Sequence, residues 1–392
     1  MKSPIRRLVD SSAILLVLAC LPAGGTPSLQ AAEGSGAGGG APRVDLAAQA
    51  KALAQDRLRR LGEGYVSKID TDRHIVYVSA VDENSFAFVI QLLSAHGDLQ
   101  RRMLFPHPLQ WNVTVILPTL GDYRKYTPSA KALGHYQHET RTLYSISFSD
   151  ILLHEFTHAL HHNDQALARQ QHPIWIVEGL ATLFQRAKIT QGGLQPLLDP
   201  TVANVQKAVR DKKAYPLEKL FAMDQKAFMK DDQVCYTQAR YVMLYLYQTG
   251  RLKDFYASYK AAYAGDVPGI KTLEKTLAKS LKEIDEDWRS WVLSQEPPWK
   301  PGYEQKAHLG IKMKPTPEGV LITALLPATM AQKTNLLQPN DVIISLAGQA
   351  TPSPLDLAAA VQSCRPGEIV DIEIIRGGRT MVVKQLLGLM PK

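Results

Sequence analysis

A histidine, a glutamate and a second histidine at positions 154, 155 and 158 restrict the middle of this 392-residue chain more than any other feature. On a helix, positions i and i+4 share a face, so His154 and His158 can turn their imidazole nitrogens toward one ion. The stretch 151–160 suits a helix. Leu153, Phe156 and Leu160 fall on another face and can anchor it in a core, and Ser149 or Asp150 can cap its start. By accident the pattern arises in roughly one chain in a hundred of this length. A surface helix with two unrelated histidines is therefore the competing interpretation.

The context separates the two. Glu178 stands twenty positions beyond His158, inside Pro173-Ile174-Trp175-Ile176-Val177-Glu178-Gly179-Leu180-Ala181. An unpaired carboxylate in such an apolar setting is costly. His/His/Glu is a known ligand set for catalytic Zn2+, which takes three protein ligands and keeps one position open. Gly179 would let this second helix approach the first closely. Glu155, beside a ligand, can reach a water in the open position and act as general base. His161, His162 and His172 read as solvated polar residues, since the His158/His162 pair has no glutamate directly after its first histidine.

This pattern resembles the gluzincins, the thermolysin-like zinc peptidases, and among them the bacterial peptidase MA-like group. The resemblance covers about 75–292. It implies an α+β, zincin-like metallopeptidase domain over 44–300, with a small N-terminal sheet and a mostly helical C-terminal half. It also implies one Zn2+ per chain on His154, His158 and Glu178, with Glu155 as the base. Family members steady the oxyanion with a Tyr or His from a later helix. Tyr236 and Tyr241 are the candidates here, Tyr236 preferred. The segment 140–147 matches the family's edge strand, which pairs with an extended substrate backbone.

The sequence departs from the family in two places. Thr182 stands where thermolysin has an aspartate four residues beyond its glutamate ligand, so the partner that orients a ligand histidine is unassigned. The G-x-M-E-N motif of gluzincin aminopeptidases is absent, which favours an endopeptidase over an enzyme of the glycyl-aminopeptidase type. Outside enzymes, the rival is an envelope adaptor with a structural zinc. Glu155 speaks against it, because a structural site has no use for a base.

Elsewhere, apolar periodicity predicts helices over 44–61 and 85–104 and strands over 74–80, 112–117 and 140–147. A loop is expected over 118–136, and almost continuous helix from 150 to 293. Prolines 297, 298 and 301 mark a boundary. Residues 303–390 resemble a PDZ domain of the bacterial, protease-associated kind, a small β-barrel placed here over 301–392. Its marks are Gly319-Val-Leu-Ile-Thr-Ala, the run 336–349, a helix over 354–363 and the alternating Val370-Asp371-Ile372-Glu373-Ile374. The resemblance implies capture of a C-terminal or internal peptide at Leu309, Gly310 and Ile311. The alternative is a packing module that binds no free peptide.

The first 32 residues carry Lys2, Arg6 and Arg7, an apolar run over 12–21 and small residues near Ala31 and Ala32, the pattern of an export signal. Val17-Leu18-Ala19-Cys20 resembles a lipobox, so secretion, a periplasmic location and a lipid anchor at Cys20 all stay open. Residues 33–43 form a Gly-rich linker. Cys235 and Cys364 fall in different domains, which argues against a disulfide framework. The net charge of +8 is scattered and not interleaved with aromatics, so no nucleic-acid partner is expected. Protein or peptide substrates are.

Overall fold

The computed structural model describes residues 45–81, 83–127, 132–148, 150–199, 201–296 and 307–389. The export signal with Cys20, the linker 33–43, the capping candidate Ser149 and the proline cluster after 296 lie outside them. No helix among the described residues is long and apolar enough to cross a membrane.

The chain opens with α1 (Leu46–Leu61), β1 (Val66–Asp70), β2 (Ile75–Ser79), α2 (Glu83–Met103) and β3 (Val113–Leu117). Then come α3 (Leu120–Tyr126), β4 (Gly134–Gln137) and β5 (Thr142–Ser145). The Asp45 side chain caps α1 by accepting from the amides of Ala47 and Ala48, and Gly62 ends it with a φ of 84°. The five strands form one sheet in the order β1-β2-β3-β5-β4. β2, β3 and β5 run parallel; β1 and β4 are antiparallel edges.

Side-chain alternation assigns the two faces of this sheet. Ile75, Tyr77, Val113, Val115 and Leu143 point into the main core. Val76, Val78, Ile116 and Tyr144 point the other way, onto Ala50 and Ala54 of α1. The segment expected to be the edge, 140–147, is instead an interior strand, and the expected loop 118–136 holds both α3 and the true edge, β4. The reason is packing. A Cβ on Gly134 would lie 2.8 Å from Ile151 and 3.2 Å from Glu155, so only glycine lets this edge sit against the next helix.

The middle of the chain is helical around one hairpin. It comprises α4 (Asp150–Ala168), α5 (Ile174–Gln185), β6 (Ala187–Thr190), β7 (Gly193–Pro196), α6 (Val202–Arg210) and α7 (Leu217–Phe221). It continues with α8 (Gln225–Lys230), α9 (Asp232–Gln248), α10 (Leu252–Ala262), α11 (Ile270–Leu277) and α12 (Leu281–Ser294). Trp175 anchors α5, fully buried and stacked on Phe221 at 4.0 Å, with its indole N–H donated to the Pro268 carbonyl. Gly179 serves a contact other than the one expected. A Cβ there would lie 2.9 Å from Met243 and 3.0 Å from the Ala239 carbonyl, both on α9 and not on α4. Gly179→Ala should therefore cost about 1–3 kcal/mol of stability by overpacking, measurable by chemical denaturation.

The C-terminal region holds β8 (Ala307–His308), β9 (Ile311–Thr316), β10 (Gly319–Leu325), α13 (Met330–Thr334) and β11 (Val342–Leu346). After these come β12 (Gln349–Ala350), α14 (Pro354–Gln362), β13 (Ile369–Arg376), β14 (Arg379–Leu386) and β15 (Gly388–Leu389). In place of a closed barrel, the described strands form an open six-stranded sheet and a separate β8–β15 pair. Ile322, Ile343, Leu357 and Ile372 fill its core. Asn340 takes a φ of 77°, the left-handed conformation its residue type tolerates.

Candidate metal centre

Helix α4 is no surface helix. Every residue from 150 to 161 is buried, including His154, Glu155 and His158. Gly97 of α2 gives it room, since a Cβ there would meet the Phe156 ring at 2.9 Å. Helix α5 packs beside α4 and carries Glu178, which is fully buried.

His154 Nε2 lies 3.0 Å from His158 Nε2. Glu178 Oε2 lies 3.4 Å from the first and 3.6 Å from the second. A tetrahedral ion held at about 2.1 Å by each ligand sets ligand atoms about 3.4 Å apart. The triangle has that size. The two imidazoles and the Tyr236 hydroxyl face the Glu178 carboxylate without a well-aligned hydrogen bond, and a buried carboxylate so placed is costly without a cation. Burial opposes its ionised form, yet His158 and His154 hold it down to about 2. Among the described residues this is the one group of three or more His, Cys, Asp or Glu placed to hold a metal. The donor set and its spacing fit Zn2+.

The partner that orients His154 is Gln185, which the sequence reading missed. Its Oε1 lies 3.1 Å from His154 Nδ1. A carbonyl oxygen only accepts, so Nδ1 carries the proton and Nε2 is free for the triangle. The signal was present: residues 178 and 185 are seven apart, two turns along one helix face. Thr182 spends its hydroxyl on the Glu178 carbonyl at 2.6 Å. Gln185→Leu should weaken Zn2+ binding about 10- to 100-fold, read by competition with a chelating dye.

Glu155 faces the same space from α4. The Tyr136 amide of β4 donates to its carboxylate, while Oε2 has no partner. Burial raises its pKa, with the histidine charges opposing and Glu178 adding to the rise. Tyr236 of α9 is buried beside His154, with ring centroids 6.5 Å apart. Burial, then the charges of Glu178 and Glu155, push its hydroxyl well above the ordinary value. Tyr241 lies elsewhere. Its hydroxyl is 3.2 Å from Asp199 Oδ1, in a network with Arg240 that caps the end of α5.

The expectation of solvated histidines fails for His161 and His172, which are buried. His161 Nε2 lies 2.8 Å from His172 Nδ1 while His161 Nδ1 has no hydrogen-bond partner, and His161 stacks on Phe105 at 5.4 Å. His162 is half-buried, its Nδ1 3.1 Å from the Tyr136 hydroxyl. A cavity of about 620 Å3 opens beside Glu178 between His138, His172 and Met223. A smaller one of about 120 Å3 lies past Tyr236 and Gln185 and reaches Asp356 of α14.

In the C-terminal region, the loop expected to hold a peptide end lies between β8 and β9. Leu309 is buried and Ile311 half-buried. Gly310 has a φ of 82° and leaves no space for a Cβ, which would fall 2.4 Å from Thr329.

A mixed α/β chain with a buried His/His/Glu cluster and a C-terminal sheet module is thus defined, and comparison with known proteins identifies the module. The family model of the PDZ domain matches residues 307–384. Among solved structures, the HtrA-type protease AlgW with a decapeptide is 20% identical, covering 28% of this chain and 35% of that one, with a TM-score of 0.21. The HtrA3 PDZ domain bound to a phage-derived ligand is 19% identical, covering 23% and 91%, with a TM-score of 0.20. An aminopeptidase N family protein from Idiomarina loihiensis is 11% identical, covering 83% and 66%, with a TM-score of 0.33. The chain spans about a third of the length of the HtrA-type proteases it matches. No curated protein sequence matches it. The C-terminal region is a PDZ domain.

Proposed function

We propose that this chain is a zinc-dependent peptidase of the gluzincin kind, an endopeptidase acting on envelope or extracellular proteins. Residues 44–300 form the zincin-like catalytic domain, and the PDZ domain of 301–392 recruits or gates substrate. His154, His158 and Glu178 hold the ion. When bound, Zn2+ lowers the pKa of a water in its open position toward about 7 and polarises a carbonyl.

The rest falls to the chain's own residues. Gln185 keeps His154 in the tautomer that offers Nε2. Glu155 takes the proton of the attacking water on its free oxygen and returns it to the leaving amine. The Tyr236 hydroxyl, kept protonated by its surroundings, donates to the oxyanion as the carbonyl becomes tetrahedral. The outer edge of β4 offers backbone groups to an extended peptide. Residues 1–32 direct export, with Cys20 as the lipidation point if the anchor is used. The reading rests on one observation above others: three buried ligand atoms spaced for a tetrahedral ion, with an unpartnered carboxylate oxygen of Glu155 beside them.

Internally quenched peptides, offered with blocked and with free N-termini, test it. Cleavage of blocked peptides that stops with a chelator and returns with Zn2+ is the expected result. Cleavage confined to free N-termini would make the chain an aminopeptidase. No cleavage of either set by zinc-loaded protein would leave the adaptor.

A further inference from the structure

The PDZ sheet carries a glutamate in an odd place. On β13, Val370, Ile372 and Ile374 face the PDZ core. Ile375 faces the opposite way, and with Ile344 and Ala350 it joins the cluster of Val76, Val78, Ile116, Ile146 and Ile151. One apolar core thus runs from the first sheet into the PDZ domain. Glu373 lies on this second face and is 3% exposed. A carboxylate placed there is costly unless charge-assisted hydrogen bonds compensate.

Its partners are on the other domain. Glu373 Oε2 accepts from the Phe148 amide at 2.8 Å and from the Ser147 hydroxyl at 3.1 Å. These residues lie two and three positions ahead of α4, whose first residue is Asp150 and whose fifth is His154. Nearby, the Thr380 hydroxyl donates to the Ile146 carbonyl at 2.7 Å, and the Ala350 amide donates to Asp150 Oδ2 at 2.8 Å. Ile146, Ser147, Phe148 and Asp150 are therefore each held by a PDZ group. Meanwhile β9, at the far edge of the PDZ sheet from β14, takes no part in these bonds.

We propose that Glu373 is a positioning residue for the metal-bearing helix, so that the PDZ domain is a fixed part of the centre and not a loosely tethered recruiter. Fixing Ser147 and Phe148, just ahead of α4, sets the azimuth and height at which His154, Glu155 and His158 meet α5. This deepens the zinc reading and rests on it for its chemical consequence, though not for the mechanical claim.

The test uses the full chain as wild type, Glu373→Ala and Glu373→Gln, with two readouts. The first is amide hydrogen exchange of the metal-free protein. Exchange over 148–153 should rise about 10-fold or more in Glu373→Ala, while Ile372 and Ile374 in the PDZ core keep their protection. The second is titration with Co2+. Glu373→Ala should bind about 3- to 10-fold more weakly, less than for a residue touching a ligand, with an altered visible spectrum. Glu373→Gln, which still offers an acceptor to Phe148, should recover part of both. If Glu373→Ala fails to fold, Glu373→Gln is read alone for the same, smaller changes. Wild-type exchange and an unchanged Co2+ spectrum in the variants would overturn the proposal. A wild-type chain that takes up no Co2+ would sink the metal reading instead, and the exchange measurement would still decide the role of Glu373.

Discussion

Glu155→Gln is expected to yield a chain that still takes up one Zn2+ and hydrolyses peptides about 10^2- to 10^4-fold more slowly. The carboxylate is no member of the ligand triangle, so its loss removes no donor from the ion. Glutamine keeps the shape and can still accept from the Tyr136 amide, but it takes up no proton. The burial that raises the Glu155 pKa brings it closer to neutrality, where a base can both accept a proton and give it back. Metal content by atomic absorption, alongside kcat/KM, checks the two halves separately. Loss of both together would show that Glu155 holds the site in shape and does no chemistry.

Glu178→Gln has the opposite signature. It should lower zinc affinity by about 10^2- to 10^3-fold, because roughly 10–16 kcal/mol of binding shared among four ligands is about 2.5–4 kcal/mol each. The substitution is nearly isosteric at a fully buried position, so the α4–α5 packing survives it. The metal-free variant should unfold close to the midpoint of the metal-free wild type, and Zn2+ should raise the wild-type midpoint more than the variant's. Isothermal titration and thermal unfolding with and without Zn2+ read both effects. Unchanged affinity would place the ion elsewhere.

Much of this was legible in the sequence because it is local. The i, i+4 spacing of His154 and His158 puts both on one helix face whatever the surroundings, and an aliphatic setting marks Glu178 as buried. The PDZ elements are equally local, down to the Arg376-Gly377-Gly378-Arg379 turn that joins β13 to β14. What escaped depends on partners far along the chain. The strand β4, Gly134-His135-Tyr136-Gln137, shows no apolar alternation and is a strand because β5 pairs with it and α4 accepts its glycine. Polarity alone placed His161 and His172 in water. Their burial is supported by one another and by rings at positions 105 and 256. Gly179 signalled a close approach without naming the neighbour, and the neighbour is α9. Glu373 holds the polar position of an alternating strand, and nothing in residues 369–376 announces a second domain against that face.

The central claim is that two imidazoles and one carboxylate converge on a single cation. Anomalous scattering at the zinc edge, from crystals of the zinc-loaded chain, tests it most directly. The expected result is one strong peak about 2.0–2.2 Å from His154 Nε2, His158 Nε2 and a Glu178 oxygen. Zinc bound at another place, with these three side chains turned away from each other, would contradict it.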